Sequence, residues 1–438
     1  MRELKKITML LLLAFAFFSC EKEDSFLKDS NTQNELLKGT NSANERINRR
    51  NKPVYSSDKL IVQFAGGTPN SVKAGLRTFY GVTNYELCKH CSDDTIELWM
   101  FGGSIDIEPK KSAIEQGSGG GIEAIIDVDY EFTFGIDLSN PNIGTALDYS
   151  YISYIKSSND GVTIAVLDTG IAPTIGEGTS PVFTEPFLYN ASDDGNELIF
   201  SGWDFVNSDA NCFDDNNGRH GTVVSSIITK ILNGNNPAIP HQIMPLKVCD
   251  EYGKASYFNF LCATSFGLEH AEILQMSLGW YDDGFGDFVA TIFSSLVAAK
   301  PEVLIITSAG NISNNNDFWA HYPSGYEHNN IIAVAASNKN TILDFPFGES
   351  NIATFSNYGV TSVDFFAKGE NIPFLGYEMR GTSFAAPIVA AVAARKKYEN
   401  PTFSASQIKN LLINEGIPCP ISFDSLKKVK YNKIIMPY

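Results

Sequence analysis

Apolar positions along the chain fall into two regimes. Between residues 58 and 134, short apolar runs alternate with segments of helical spacing. DKLIVQF (58–64) reads as a strand and SVKAGLRTFYG (71–81) as a helix with a glycine stop. TIELWMF (95–101) reads as a strand, IEPKKSAIEQGSG (107–119) as a helix and IEAIIDVDYEFTF (122–134) as a final strand. A short strand around Tyr85–Cys88 completes a β-α-β-β-α-β order, which predicts a small ferredoxin-like α+β unit over 53–136. From about residue 140 the apolar runs become nearly continuous: VTIAVLD (162–168), QIMPLKV (242–248), EILQMSL (272–278), EVLIITSA (302–309) and IIAVAAS (331–337). Such runs, separated by helix-compatible stretches, predict an α/β domain over 137–438 with a mainly parallel sheet buried on both faces and flanked by helices. SASQIKNLLINEG (404–416) and KVKYNKIIMPY (428–438) predict a helix and a strand that close this domain. Ligands of parallel sheets sit beyond the carboxyl ends of the strands. Asp168 ends the first of these runs and Asn311 follows another, so both are expected on one side of the molecule.

The N-terminus adds an export signature. Arg2, Lys5 and Lys6 precede the apolar run MLLLLAFAFFS (9–19), which is too short for a permanent membrane span. The run ends at Cys20, followed at once by Glu21, Lys22, Glu23 and Asp24. This arrangement resembles a bacterial lipoprotein signal. It implies a signal peptide over 1–19, lipidation of Cys20 and a lipid anchor in the outer membrane, on its periplasmic or cell-surface face. The alternative is a plain secretory signal with an incidental Cys. Residues 21–52 are polar and read as a flexible tether with a root-mean-square reach of roughly 30 Å.

The 438 residues are long for one domain, and 43% hydrophobic and 19% charged residues fit a globular protein. A formal net charge of −17 argues against a nucleic-acid partner, which needs basic patches. With Cys20 lipidated, six cysteines remain, an even number for an oxidising compartment. Cys88 and Cys91 form a lone CxxC, expected as a local disulfide, and Cys249 and Cys262 are close enough in sequence to pair.

Three segments carry candidate chemistry: GVTIAVLDTG around Asp168, NNGRHGT around His220 and RGTSFAAP around Ser383. Asp168 at a strand end can accept a hydrogen bond from an imidazole. His220 stands before a helix-like run, after a glycine-bounded loop. Ser383 opens a helix of small residues, where backbone N–H groups can bind an oxyanion. Each alone has a plainer reading, as a turn former, a structural histidine or an N-cap. DTG also marks aspartic proteases, but those use two such turns in an all-β fold, and a second DTG is absent here.

The order Asp, His, Ser with these flanks, and SAGN ending at Asn311, resembles the subtilisin-like serine proteases (subtilases). The resemblance departs at Val223, where a second His is usual, at Gln275 in place of Asn, and at Gly279-Trp280-Tyr281 in place of Gly-Gly-Pro. It implies an Asp168–His220–Ser383 triad with Asn311 as oxyanion donor. It also implies a substrate cleft bounded by Ser277, Leu278 and Gly279 on one side and Ala309 and Gly310 on the other. Trp280 either narrows a pocket or covers the cleft rim. By the same resemblance, residues 53–136 are an inhibitory and chaperoning prodomain removed by self-cleavage within about 135–145, the alternative being a permanent accessory domain. The loop before His220 carries Asp204, Asp209 and Asp214 at a density that suits Ca²⁺ or, equally, a solvated acidic loop. No organic cofactor is implied. The expected partners are a polypeptide substrate, the chain's own prodomain and a membrane reached through lipid, with the enzyme a monomer. The competing readings are a catalytically inactive subtilase-like binding protein and a protease dedicated to one peptide.

Overall fold

The computed structural model describes residues 53–437 apart from 89–93, 104, 118–123, 137–160, 173, 176–179, 184, 190–200, 283–285, 287, 339–351 and 420–427. The signal-like segment, Cys20, the tether and Cys91 lie outside the described residues.

The first elements are β1 (Val54–Phe64), α1 (Asn70–Tyr80), β2 (Asn84–Leu87), β3 (Ile96–Met100), α2 (Ile107–Gly117) and β4 (Ile125–Gly135), the order expected from the sequence. The strands lie β4-β1-β3-β2, every neighbour antiparallel. Leu60, Val62 and Phe64 point into a core with Tyr80, Trp99, Ile107 and Ile114, while Ile61 faces the opposite way. The run Leu-Ile-Val is continuous because this small sheet is covered on both faces.

The second layer is built on β5 (Val162–Asp168), β6 (Trp203–Asp204), α3 (His220–Asn233), β7 (His241–Lys247), β8 (Lys254–Ser256), α4 (Tyr257–His270) and β9 (Ile273–Met276). It continues with α5 (Thr291–Ala299), β10 (Leu304–Ser308), β11 (Ile331–Ser337), β12 (Phe365–Lys368), α6 (Thr382–Glu399), α7 (Ala405–Glu415), β13 (Ile417–Pro418) and β14 (Lys433–Ile434). Nine strands form a sheet ordered β13-β14-β12-β11-β10-β9-β5-β7-β6, parallel throughout except for the β13–β14 pair. Ile164 and Val166 pack on the face that carries α3 and α6, and Ala165 and Leu167 on the face that carries α4 and α5. The expected mainly parallel α/β sheet is thus present.

The two layers meet through β4. Its end pairs antiparallel with β8, matching Thr133 to Ser256 and Gly135 to Lys254. Glu131 accepts hydrogen bonds from Ser256 Oγ (2.7 Å) and Phe258 N (2.9 Å) at the start of α4. Asp129 accepts from Thr291 N (3.0 Å) and Ile292 N (2.9 Å) at the start of α5, and from the Tyr257 hydroxyl (3.2 Å). Both carboxylates sit where helix N-termini leave unpaired donors and a positive dipole end. Phe132 stacks on Tyr257 with ring centroids 4.6 Å apart, and Phe134 lies 4.9 Å from Trp280.

The cysteine pairing differs from expectation. Cys88, after β2, is joined to Cys262 in α4 with a Cα–Cα distance of 5.2 Å. The local Cys88–Cys91 bridge is therefore excluded, and Cys249 is a buried free thiol instead of the partner of Cys262. Proximity along the chain misled here, because β2 is carried by its sheet onto a helix 174 residues further on.

Candidate active site

Asp168 closes β5 with its side chain fully buried (0% exposed). Its Oδ1 accepts the backbone N–H of Thr169 (2.7 Å) and lies 2.8 Å from His220 Nδ1, with Oδ2 at 2.9 Å from the same nitrogen. Two carboxylate oxygens around one ring nitrogen fix the proton on Nδ1, which leaves Nε2 to act as a base. The main-chain oxygen of Asp168 accepts Val248 N and Cys249 N, so the strand end cannot drift.

His220 opens α3 after Arg219, which adopts a left-handed conformation (φ 47°). Gly221 donates its N–H to Thr169 Oγ1 (2.9 Å), tying the HGT segment to the DTG segment. A Cβ on Gly221 would lie 2.4 Å from the oxygen of Gly170 and 3.1 Å from Cβ of Asp168, so only glycine permits this approach. Asp214 Oδ2 accepts from Thr222 N (3.1 Å) and Thr222 Oγ1 (2.7 Å), capping the helix that presents the histidine. Burial pushes the Asp214 carboxyl above its ordinary range.

Ser383 stands in the first turn of α6 and is nearly buried (5% exposed). Gly381, at φ 152° and ψ 153°, turns the chain into this helix through a region that side-chain-bearing residues avoid. Ser383 Oγ donates to the carbonyl of Ser277 (3.2 Å), and Ser277 Oγ donates to the carbonyl of Ser383 (2.7 Å). The second bond has a cause four residues along. Pro387 lies inside α6 and has no N–H, so the Ser383 carbonyl lacks its helical donor and takes the Ser277 hydroxyl instead. The ring of His220 packs 5.4 Å from that of Phe384, which brings the imidazole beside the serine turn.

Asn311 follows β10. Its Oδ1 accepts Thr382 N (2.8 Å) and Thr382 Oγ1 (2.9 Å), which turns the amide NH₂ toward Gly381 and the serine turn. The Thr382 hydroxyl also accepts Gly310 N (3.1 Å). Ser277, Leu278 and Gly279 follow β9, and Ala309 and Gly310 follow β10, the neighbouring parallel strand. Gly279 forms an antiparallel bridge with Gly135, and Ile136 N donates to Gly253 O (3.0 Å). The end of β4 is thus threaded between the segment after β9 and the segment before β8.

With β4 in place, Trp280 is part of the contact between the two layers. It is fully buried, donates Nε1–H to Phe288 O (2.9 Å) and packs against Phe132, Phe134, Tyr257 and Phe260. Asp204, Asp209 and Asp214 do not converge on a shared cation. Asp204 accepts Val206 N, Asn207 N and Asn207 Nδ2, Asp209 accepts Asn211 N, and Asp214 caps α3. Among the described residues no group of three or more His, Cys, Asp or Glu could hold a metal ion.

Asn357 escaped the sequence reading. It is fully buried and donates to Ala309 O (2.9 Å), Asn316 Oδ1 (3.0 Å) and the Tyr281 hydroxyl (2.8 Å) while accepting Ile312 N and Asn314 N. It locks both sides of the turn that carries Asn311. Its segment FSNYG reads as any polar loop, so no local signal marks it.

The doubly covered parallel sheet thus carries an Asp168–His220 pair at a strand end and Ser383 at a helix start. The subtilase family model matches residues 159–429, and the chain belongs to that family. It is 31% identical over 265 residues to an alkaline elastase of Bacillus sp. (strain YaB), covering 58% of this chain and 59% of the elastase. It is 30% identical over 268 residues to subtilisin BL of Lederbergia lenta, covering 59% of this chain and 84% of that protein. The match to the elastase and to an M-protease of Shouchella clausii thus spans 59% of their own length. A solved cold-adapted subtilisin-like serine proteinase aligns with 66% of this chain and 97% of its own, at a TM-score of 0.45 and 22% identity.

Proposed function

We propose that this chain is a serine endopeptidase, made as a self-processed zymogen and held at the bacterial outer membrane by lipid on Cys20. The observation that carries the reading is the Asp168–His220 pair, with His220 Nδ1 at 2.8 and 2.9 Å from the two carboxylate oxygens, packed beside the Ser383 turn. In the first step His220 Nε2 takes the proton of Ser383 Oγ as that oxygen attacks the scissile carbonyl. Asp168 holds the ring in the required tautomer and stabilises the imidazolium. The Asn311 amide and the Ser383 N–H stabilise the oxyanion. His220 then protonates the leaving amine, and water repeats the cycle on the acyl-enzyme.

What supports the zymogen is the pairing of Gly135 with Gly279, which puts the chain's own strand where a substrate backbone would lie. Residues 53–136 act as the inhibitor in this reading, and cleavage falls within about 135–145. No described helix is long and apolar enough to cross a membrane, so attachment rests on the Cys20 signal. The enzyme works as a monomer on polypeptides.

A fluorophosphonate probe tests the assignment. Full-length protein that has processed itself and has then been treated with dithiothreitol, so that residues 53–136 are free to leave, should be labelled at Ser383. Ser383→Ala should show neither label nor processing, with hydrolysis down by about six orders of magnitude, the scale of nucleophile loss in subtilisin. Labelling elsewhere, or normal processing in Ser383→Ala, overturns the reading.

A further inference from the structure

We propose that the Cys88–Cys262 disulfide is a thiol-operated latch, which keeps residues 53–136 seated on the catalytic layer after the chain has been cut, so that reduction and not cleavage alone opens the cleft. The proposal rests on the zymogen reading above.

Cys88 and Cys262 stand on opposite sides of the stretch where self-cleavage is placed. A cut anywhere between them leaves one covalent molecule. The bond also joins the end of β2 to α4, one from each layer. Cys262 lies in α4, and the start of α4 is held by Glu131 and by the stacking of Tyr257 on Phe132. β4, which supplies those contacts, continues into the Gly135–Gly279 bridge.

An inhibitor held only by such contacts leaves on dilution once its chain is cut. A covalent link prevents this, because it keeps the effective concentration at the mM level or above. The other cysteines among the described residues do not open the bond. Cys212, Cys249 and Cys419 are buried, and burial pushes the thiols of Cys212 and Cys419 up to about 12, so they stay protonated. An external dithiol is the reductant in this proposal. Its thiolate attacks one sulfur of the pair to form a mixed disulfide, and its second thiol displaces the first. Two electrons pass to the cystine, Cys88 and Cys262 each end as a thiol with one proton, and the reductant leaves as its own disulfide.

Full-length protein purified without reductant and allowed to process itself provides the test. On a denaturing gel without reductant, the two fragments should run together at the mass of the uncut chain, and dithiothreitol should separate them. Hydrolysis of a peptide substrate should rise by on the order of 10²-fold with dithiothreitol, the lower end of what an intramolecular link adds to affinity. Cys88→Ser should separate without reductant, be active without it and show no such rise, which distinguishes the latch from a general effect of the reagent. Cys262→Ser should behave alike, so that misfolding of one variant does not decide the matter. Separation of the wild-type fragments without reductant would overturn the proposal. So would full activity of the cut, still-linked protein, or alkylation of Cys88 and Cys262 in protein never reduced.

If no form processes itself, the zymogen reading fails and the bond is tested apart from it. A recognition sequence for a site-specific protease is placed between Ile136 and Gly161 in Ser383→Ala, and that protease makes the cut. Fragments that stay linked until dithiothreitol is added support the covalent tie, and fragments that separate at once overturn it.

Discussion

At Ser383 a missing amide hydrogen four residues downstream shapes the reactive turn. Because Pro387 cannot donate, the Ser383 carbonyl accepts from Ser277, and Ser383 Oγ in turn donates to Ser277 O. Pro387→Ala restores the helical donor and removes a residue that costs a helix interior about 3 kcal/mol. The expected outcome is a higher melting temperature with a lower kcat, read from thermal unfolding and steady-state kinetics on the same protein. Asn311→Leu removes an amide that Thr382 holds in place. It should lower kcat by about 10²–10³-fold with little change in KM, as loss of this donor does in subtilisin. Asp168, His220, Ser383 and Asn311 stood out in the sequence because each sits in a short segment whose local geometry limits its composition. Gly221 and Gly381 show the reason: a side chain at either position meets backbone or demands a forbidden conformation. Asn357 was not readable, since its partners come from residues 281 to 316 and nothing in its own segment records them.

At the level of elements, two helices begin against acidic residues of a strand from the other layer. Burial, the leading cause, raises the Asp129 carboxyl from 3.8 to about 6 and that of Glu131 from 4.5 to about 7. Asp127 reinforces the first shift, while Lys59 opposes and Glu86 adds to the second. The nearby Tyr257 and Tyr326 hydroxyls are both pushed further up and stay neutral. The docked state therefore holds protons that the free strand releases. Its stabilisation is complete below about pH 4 and is lost as pH rises through 6 to 7, on the order of 2–3 kcal/mol for each group. In the Ser383→Ala background, the double variant Asp129→Asn and Glu131→Gln should lose much of this loss of melting temperature between pH 5 and 8. An unchanged slope would show that these groups do not control docking. The longer strands were legible because their apolar periods are local, whereas the run KVKYNKIIMPY forms only the two-residue strand Lys433–Ile434. β5 and β11 match the expected VTIAVLD and IIAVAAS runs residue for residue. β8 was not legible, because three residues, KAS, become a strand only when β4 lies beside them.

Across the whole molecule, an aromatic cluster joins the layers. Phe132 contacts Tyr257, Trp280 and Phe288, all from the catalytic layer. Phe132→Ala leaves a hole among rigid rings and should cost about 3–5 kcal/mol. In Ser383→Ala protein, the first thermal transition should shift down, and the N-terminal layer should become sensitive to added protease before the catalytic layer does. The amino-acid sequence by itself determined the main strands and helices, the order of Asp168, His220 and Ser383, and the placing of Asp168 and Asn311 beyond the carboxyl ends of parallel strands. Those features follow from local periodicity and from turns that only certain residues can make. The tertiary structure decided that the end of β4 pairs with Gly279, which cysteines join, that Trp280 is buried between β4 and α4, and that Asp204, Asp209 and Asp214 accept hydrogen bonds from nearby donors. The first three depend on segments far apart in the chain reaching one another, and their cost and gain are set by burial that no single segment encodes.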